Sequence, residues 1–253
     1  MKRQGFLSYD EATDHYQIDW REGMSVVVNE LLLRQLLAAR PYMRGRLLDM
    51  GCGRRPYALI YDKLVGQSVG TEVAFSPHGT SAADAICFGE ALPFEDASFD
   101  TILCTEVLEH TREPWRVMAE FARLLRPGGH VLISVPFIYP LHEKPHDYWR
   151  FTGYGLEAIS RSAGLIPLEV AAKGGTGASL FVLGVNLAVR ALNMVSKLLP
   201  FRQPLRDYPA TRFMMALPQW LFLRLSPAEP PEDHPWMASG LFMVARKPDN
   251  DSV

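Results

Sequence analysis

The chain has 253 residues and a formal net charge of −2, with 26 Lys and Arg against 28 Asp and Glu. That balance excludes binding to a polyanion through bulk electrostatics, so no nucleic-acid partner is expected. Cys52, Cys87 and Cys104 are odd in number and far apart, which excludes a disulfide framework and a zinc spacing and fits a reducing, cytoplasmic compartment. Met1–Phe6 are not followed by an apolar signal core. Residues 1–20 are polar and aromatic and read either as an ordered arm or as a mobile one. Over residues 23–39, Val26, Val27, Leu31, Leu32, Leu36 and Leu37 recur at helical steps, and Pro41 ends that helix. Residues 1–40 are therefore expected to be an N-terminal arm and helix.

The core is expected over residues 41–173. Leu47-Leu48-Asp49-Met50-Gly51-Cys52-Gly53 is a short apolar run ending in a carboxylate and two glycines, the order of a buried parallel strand turning into a helix. That helix is expected from about Pro56 to Val65, with proline at a position where its missing N–H costs nothing. Asp49 falls at the carboxyl end of the strand, where open α/β sheets bind ligands. A second strand covers Val69–Val73. Its Glu72 stands 21 residues after Gly51, the spacing at which a carboxylate accepts from a ribose diol in dinucleotide folds.

A third short strand and its exit loop cover Asp84–Glu90, and a fourth strand Thr101–Cys104. Thr111 is the expected N-cap of the next helix, whose apolar face is Val117, Met118, Phe121, Leu124 and Leu125. Arg126-Pro127-Gly128-Gly129 is its stop signal. Strand five is His130–Val135, a helix follows at Gly155–Ala163, strand six is Leu165–Ala172, and the last strand is Ala238–Arg246 within residues 236–247. Strands alternating with helices imply βαβ units and a mainly parallel sheet. The Pro-rich stretch Pro227–Pro235 reads as a surface linker, and the chain as a single domain, 1–253.

Residues 174–235 stand outside the alternation. From Ser179 to Leu199 the polar residues Asn186, Arg190, Asn193 and Lys197 share one narrow helical stripe and the other faces are apolar. Phe213, Met214, Leu217, Trp220, Leu221, Phe222 and Leu225 form a second apolar group, broken at Pro218. Arg190, Lys197, Arg202, Arg206, Arg212 and Arg224 face Asp207 alone in charge. Two readings stay open: a helical lid packed over the site, or a peripheral membrane contact through 179–225 at the inner face, favoured by anionic lipid.

Taken in order, Leu-Leu-Asp-Met-Gly-Cys-Gly, Val-Gly-Thr-Glu, Leu-Pro-Phe-Glu-Asp-Ala-Ser-Phe-Asp, Glu-Val-Leu-Glu-His and Leu-Leu-Arg-Pro-Gly-Gly-His-Val-Leu-Ile-Ser-Val-Pro resemble the class I S-adenosylmethionine-dependent methyltransferases over about residues 45–170. The resemblance implies an α/β fold: a Rossmann-like, doubly wound seven-stranded sheet with the last strand antiparallel and a helical insertion before it. It implies S-adenosyl-L-methionine as cofactor. Asp49, Gly51 and Gly53 would lie along its methionine part, Glu72 would take the ribose hydroxyls, and Glu106 would line the cleft. Where the family commonly carries an adenine-accepting Asp, this chain has Phe88, and three readings stay open: Phe88 stacks on adenine, Glu90 supplies the acceptor, or Phe88 is simply core. A nicotinamide fingerprint needs a third glycine where Pro56 stands. His146–Thr152 is similar to a subgroup often linked to surface-polysaccharide or other secondary pathways.

The loop after strand five faces the methyl group in such a fold. Histidine as a residue type suits proton transfer near neutral pH, so His142 and His146 are the candidates to accept a hydroxyl proton, although structural hydrogen bonds explain either one as well. Tyr139, Tyr148 and Arg150 are candidate substrate contacts, and Arg150 pairs equally well with Asp147. His142-Glu143-Lys144-Pro145-His146 spells a zinc-protease pattern, but Pro136, Pro140 and Pro145 predict a loop rather than the helix that pattern needs, so no metal site is expected. The expected function is methyl transfer to a small or amphiphilic acceptor, saccharide- or lipid-linked. A non-catalytic cofactor- or partner-binding module of the same fold is the rival. The oligomeric state is not legible.

Overall fold

A computed structural model describes residues 1–19, 26–196, 209–225 and 236–249. Trp20, the first turn of the expected helix at 23–25, Lys197, Leu198, Leu199, Arg202, Arg206, Asp207 and the Pro227–Pro235 linker lie outside them. The central sheet begins with β4 (Arg46–Met50), β5 (Gln67–Glu72), β6 (Ala85–Ile86), β7 (Phe99–Thr105) and β8 (Leu125–Pro136), and ends with β9 (Ile166–Lys173) and β10 (Gly240–Arg246). The seven strands lie in the order β6-β5-β4-β7-β8-β10-β9. The first five pair in parallel, and β10 runs antiparallel to both β8 and β9. The expected seven-stranded sheet with its antiparallel last strand is present.

The two-residue period of the strands sorts their side chains into two cores. Leu48, Ile102, Val131 and Met243 point to one face, where they meet Val117 and Phe121 of α3 (Pro114–Leu124) and Leu156 of α4 (Gly153–Ser162). Leu47, Leu103, Leu132 and Phe242 point to the other, against Leu36 of α1 (Val26–Ala38) and Ile60 of α2 (Ala58–Tyr61). Each fully buried Leu or Phe contributes about 1.5–3 kcal/mol, which is why near-continuous apolar runs form the central strands.

The structure settles the N-terminal arm as an ordered antiparallel sheet: β1 (Lys2–Gln4), β2 (Leu7–Asp10) and β3 (His15–Ile18). Leu7, Tyr9, Tyr16 and Ile18 are its buried face and join the second core. Three further expectations are corrected. The helix after the glycine turn is only α2, because the Leu64 and Val65 amides both fold back onto the Tyr61 carbonyl (2.9 and 3.1 Å). Thr111 is not the N-cap of α3. Its hydroxyl donates to the Leu108 carbonyl (2.8 Å) and closes a 3₁₀ turn, and α3 starts later, at Pro114. The Pro127-Gly128-Gly129 stretch lies inside β8, where the pairing with β7 shifts register, rather than between elements.

The insertion contains α5 (Thr176–Ser196) and α6 (Pro209–Leu225), with Pro218 inside α6 rather than breaking it. Phe181 and Phe222 stack at 4.4 Å between the two helices. The buried Gln219 accepts from the Val27 amide of α1 (3.3 Å). The insertion is thus seated on α1.

Candidate active site

Ligands of open α/β sheets bind where strand order reverses, here at the carboxyl ends of β4 and β7. β4 ends at Gly51, whose φ of +73° an L side chain rarely adopts, and a Cβ there would lie 2.3 Å from Val107 Cγ2. The Gly51 and Cys52 amides both donate to the Thr71 carbonyl at the end of β5 (2.9 and 3.0 Å). That ties the turn to the neighbouring strand and brings Glu72 across it. The Gly53 and Val73 amides donate to the two Glu72 carboxylate oxygens (2.8 and 2.9 Å). Each oxygen retains a lone pair, so the carboxylate is both fixed and able to accept from a diol.

A cavity of ≈ 730 Å³ opens on this edge, lined by Gly51, Glu72, Phe88, Glu90, Glu106 and, farther out, His146 and Tyr148. Phe88 is exposed, with Phe75 6.1 Å away, so it serves as a cavity wall and not as core. A second cavity of ≈ 440 Å³ adjoins the first and is lined by Asp49, Gly53, Phe6, Asn29, Tyr139 and His142. The two share Gly51, His78, Glu106, His110 and Glu143. Every expected cofactor residue lines one cavity or the other. The described residues of α5 and α6 line neither: the second cavity is covered by Val28, Asn29 and Leu32 of α1 and by Gly5 and Phe6 of the arm. The cover is thus built by the chain's first elements, and the insertion buttresses α1 from behind.

Asp49 is buried and accepts from the Tyr61 hydroxyl (2.8 Å). Burial raises its pKa to about 6, against the opposing pull of the Tyr61 hydrogen bond. Glu106 follows β7 with a φ of +55°. Its carboxylate takes the Lys173 ammonium and the Ser134 hydroxyl. Lys173 is 1% exposed, and its ammonium also donates to Ser134 Oγ (2.7 Å). Gly240 leaves room for this side chain, since a Cβ there would meet Lys173 Cε at 2.3 Å.

At the second cavity, three side chains from two loops converge. Glu109 is fully buried, with Oε1 3.6 Å from His110 Nε2 and 3.7 Å from His142 Nε2. Neither of its carboxylate oxygens has a hydrogen-bond partner. Burial accordingly raises the Glu109 pKa. The other nitrogen of each imidazole faces an oxygen: His110 Nδ1 the His146 carbonyl at 2.7 Å, and His142 Nδ1 the Asp147 carboxylate at 3.3 Å. Burial lowers the His142 pKa, but Glu109 and Asp147 outweigh it and the net direction is upward. Glu143 accepts from His78 (3.0 Å), which lowers the Glu143 pKa and raises that of His78.

The remaining expected residues divide. His146 does not reach the second cavity; its Nδ1 meets the Tyr148 hydroxyl (3.1 Å) and its ring lies 4.9 Å from Phe75. Tyr148 lines the first cavity, and Tyr139 the second, edge-on to His142. Arg150 resolves toward its loop role. It grips both Asp147 oxygens (2.6 and 2.8 Å) and the carbonyls of Tyr139, Pro140 and Trp149, which leaves no nitrogen for a substrate anion. The His142–His146 segment is a loop, as its prolines predict. Sequence reasoning missed Glu109, His110, His78 and Lys173. Glu109 and His110 carried one signal, a pair of ionisable residues just beyond an apolar strand.

This sheet order, with an acidic, glycine-turned cleft at its reversal point, defines a Rossmann-like cofactor-binding protein. A family model described as "Methyltransferase domain" matches residues 20–161, more than half of the chain. The chain belongs to that methyltransferase-domain family. A ubiquinone biosynthesis O-methyltransferase from Ralstonia nicotianae is 26% identical over 171 residues, 56% of this chain and 72% of that protein. An uncharacterized protein of Methanocaldococcus jannaschii is 30% identical over 109 residues, 42% of this chain. The chain spans about half the length of most of the curated relatives it matches, 53% in the M. jannaschii case. A putative sarcosine dimethylglycine methyltransferase from Galdieria sulphuraria shares the fold at a TM-score of 0.53 and 20% identity, over 98% of this chain and 93% of that one. The residues fit S-adenosyl-L-methionine, with Glu72 able to accept from its diol and Phe88 exposed to its base.

Proposed function

We propose that the chain methylates a hydroxyl of a small or amphiphilic acceptor, saccharide- or lipid-linked, held in the second cavity. S-adenosylmethionine supplies a methyl carbon already activated on a sulfonium. The chain's own work is to align the acceptor oxygen with that carbon and to draw off its proton. Asp49 faces the cationic methionine end, and Glu72 takes the ribose. The acceptor hydroxyl meets the Glu109–His110–His142 cluster. The observation that carries this reading is that His110 and His142, with Glu109 buried behind them, line the second cavity, which shares Gly51 and Glu106 with the first. A hydroxyl gains most from such a set of proton-accepting groups, because it holds its proton more tightly than a thiol or an ammonium does. The relatives named as ubiquinone biosynthesis O-methyltransferases are consistent with an oxygen acceptor. Of the two histidines expected in catalysis, His142 stands at the acceptor and His146 at the cofactor-side wall.

The test is mass spectrometry of products from a panel of catechols, phenols, amines, thiols and lipid-linked saccharides with S-adenosylmethionine. Methyl ethers are expected among the products. His142→Ala is expected to lower turnover by about 10²-fold while leaving cofactor affinity within about twofold. Methylation confined to amines or thiols would remove the reading.

The acceptor's amphiphilic character is proposed from the insertion. α5 is long and apolar enough to cross a membrane by length and composition alone, and it exposes Leu180, Leu187, Met194 and Val195 beside Arg190. α6 exposes Leu217, Trp220 and Leu221, with Arg224 4.6 Å over the Trp220 ring. Exposed apolar side chains among cations suit peripheral contact with anionic lipid at the cytoplasmic face. Sedimentation with anionic liposomes at low salt checks this: the wild type is expected in the pellet and Trp220→Ala/Leu221→Ala in the supernatant. A wild type that stays in solution ends the membrane reading.

A further inference from the structure

We propose that Glu109, His110 and His142 form a divalent metal site of the two-imidazole, one-carboxylate kind, open to the acceptor cavity. Four observations carry it. First, a fully buried carboxylate with no close hydrogen bond, and only the two imidazoles at 3.6 and 3.7 Å beside it, is costly because its charge lies in a poorly solvated place. A cation removes that cost directly.

Second, the ligand atoms already converge. Glu109 Oε1 lies 3.6 and 3.7 Å from the two Nε2 atoms, and the whole set spans no more than 4.8 Å. Ligands about 2.0–2.1 Å from a tetrahedral ion stand roughly 3.3–3.4 Å apart, so inward rotation of two imidazoles completes the shell.

Third, the outer partners are those of a metal-binding histidine. His110 Nδ1 meets a backbone carbonyl and His142 Nδ1 the Asp147 carboxylate. With the proton on Nδ1, which also finds the Pro140 carbonyl at 3.3 Å in His142, each ring turns its Nε2 lone pair toward Glu109. Asp147 is in turn clamped by Arg150 through two bonds, which fixes the His142 ring from behind.

Fourth, the surroundings are anionic. Glu143 Oε2 lies 3.8 Å from His110 Nε2, so a second carboxylate stands beside the set. Two imidazoles and a carboxylate suit a first-row divalent ion such as zinc. The open position faces the second cavity, and the acceptor oxygen is its natural fourth ligand. Only that last point rests on the proposed reaction. In the loaded protein His142 serves as a ligand rather than as a free base. His142 pairs here with His110 and not with His146, so the site is unrelated to the protease-like spelling of its loop.

The experiment is titration of chelator-treated full-length protein with Zn(II), and with Co(II) read by its visible absorption, in the absence of cofactor and acceptor. One ion per chain is expected, with the intense visible bands of a low-coordinate Co(II) site. Glu109→Gln is expected to weaken binding at least 100-fold. Asp147→Asn, outside the shell, is expected to weaken it about 10–100-fold while leaving the far-ultraviolet dichroism unchanged. Failure of the wild type to bind one ion, or equal binding by a folded Asp147→Asn and Glu109→Gln, overturns the site. A protein that binds the ion through these residues yet methylates no hydroxyl keeps the site and loses only the proposed reaction.

Discussion

Glu106→Ala is expected to destabilise the chain by about 3–5 kcal/mol, the cost of stranding a buried charge. The stranded group is Lys173, 1% exposed, whose ammonium is left with the Ser134 hydroxyl alone. Side-chain exposure of Glu106 is 29%, so some water follows the carboxylate out, and the lower end of that range is the better figure. Alanine also inherits the φ of +55°, which an L residue adopts at a cost, and so recovers nothing from the backbone. Removing both charges reverses the result. Glu106→Gln/Lys173→Met is expected within about 1 kcal/mol of wild type, since removing both charges of a buried pair with side chains of similar shape is often neutral. Urea unfolding with linear extrapolation measures both. A Glu106→Ala protein as stable as wild type would show that Lys173 is solvated or paired elsewhere. Glu106 thus belongs to the scaffold as much as to the cleft: it ties the end of β7 to the ends of β8 and β9.

Asp49→Asn is expected to stabilise the fold at pH 7 by about 1–3 kcal/mol and to weaken S-adenosylmethionine binding at least tenfold. The sign follows from the pKa. The carboxyl is raised from its ordinary 3.8 to about 6 in the folded chain, by burial first. A group whose folded pKa lies above its unfolded value binds its proton more tightly when folded. Its contribution therefore favours the fold below pH 4 and is lost between pH 4 and pH 6. Above pH 6 the ionised carboxylate opposes folding, by about 1.4 kcal/mol for every tenfold gain in proton affinity on folding. Asparagine removes that opposition while keeping an oxygen for the Tyr61 hydroxyl. The difference between variant and wild type is expected to shrink toward zero at pH 4. On the proposed reading, in which Asp49 faces the cationic methionine end of the cofactor, the same change lowers affinity. Unfolding curves at pH 4 and 7, with calorimetric titration of cofactor, check both halves. A variant less stable than wild type at pH 7 would mean that Asp49 is already well solvated or well paired.

Much of the cofactor cleft was legible because its signals are local. An apolar run, a terminal carboxylate and two glycines specify a buried strand and a turn through short-range sterics, and the Gly51 φ of +73° is that turn. The Glu72 position follows from the length of one βαβ unit, and the carboxylate does lie across the glycines from β4. The alternation of strands and helices likewise fixed the layers, and the two faces of β4 and β7 separate as a two-residue period requires. The arm was less legible. Its strands are three or four residues long, too short for a period to stand out, and they gain order only by laying Leu7 and Tyr16 on the second core.

From the sequence came the α/β class and the ligand-binding edge of the sheet, since backbone sterics and apolar periodicity act over a few residues; the cofactor came from the resemblance of its ordered motifs to a known family. Tertiary structure alone decided which ionisable groups meet. Lys173 reads as an unremarkable strand end until β10 brings it beneath Glu106, 67 residues away in the chain. Glu109 and His142 lie in separate loops, after β7 and after β8, and the parallel pairing of those strands brings the two together. Arg150 turned out to be spent on its own loop, and His146 faces the cofactor-side cavity although it is only four positions from His142. Charge, burial and direction at a site depend on what the rest of the chain places around each group, and no local pattern encodes that.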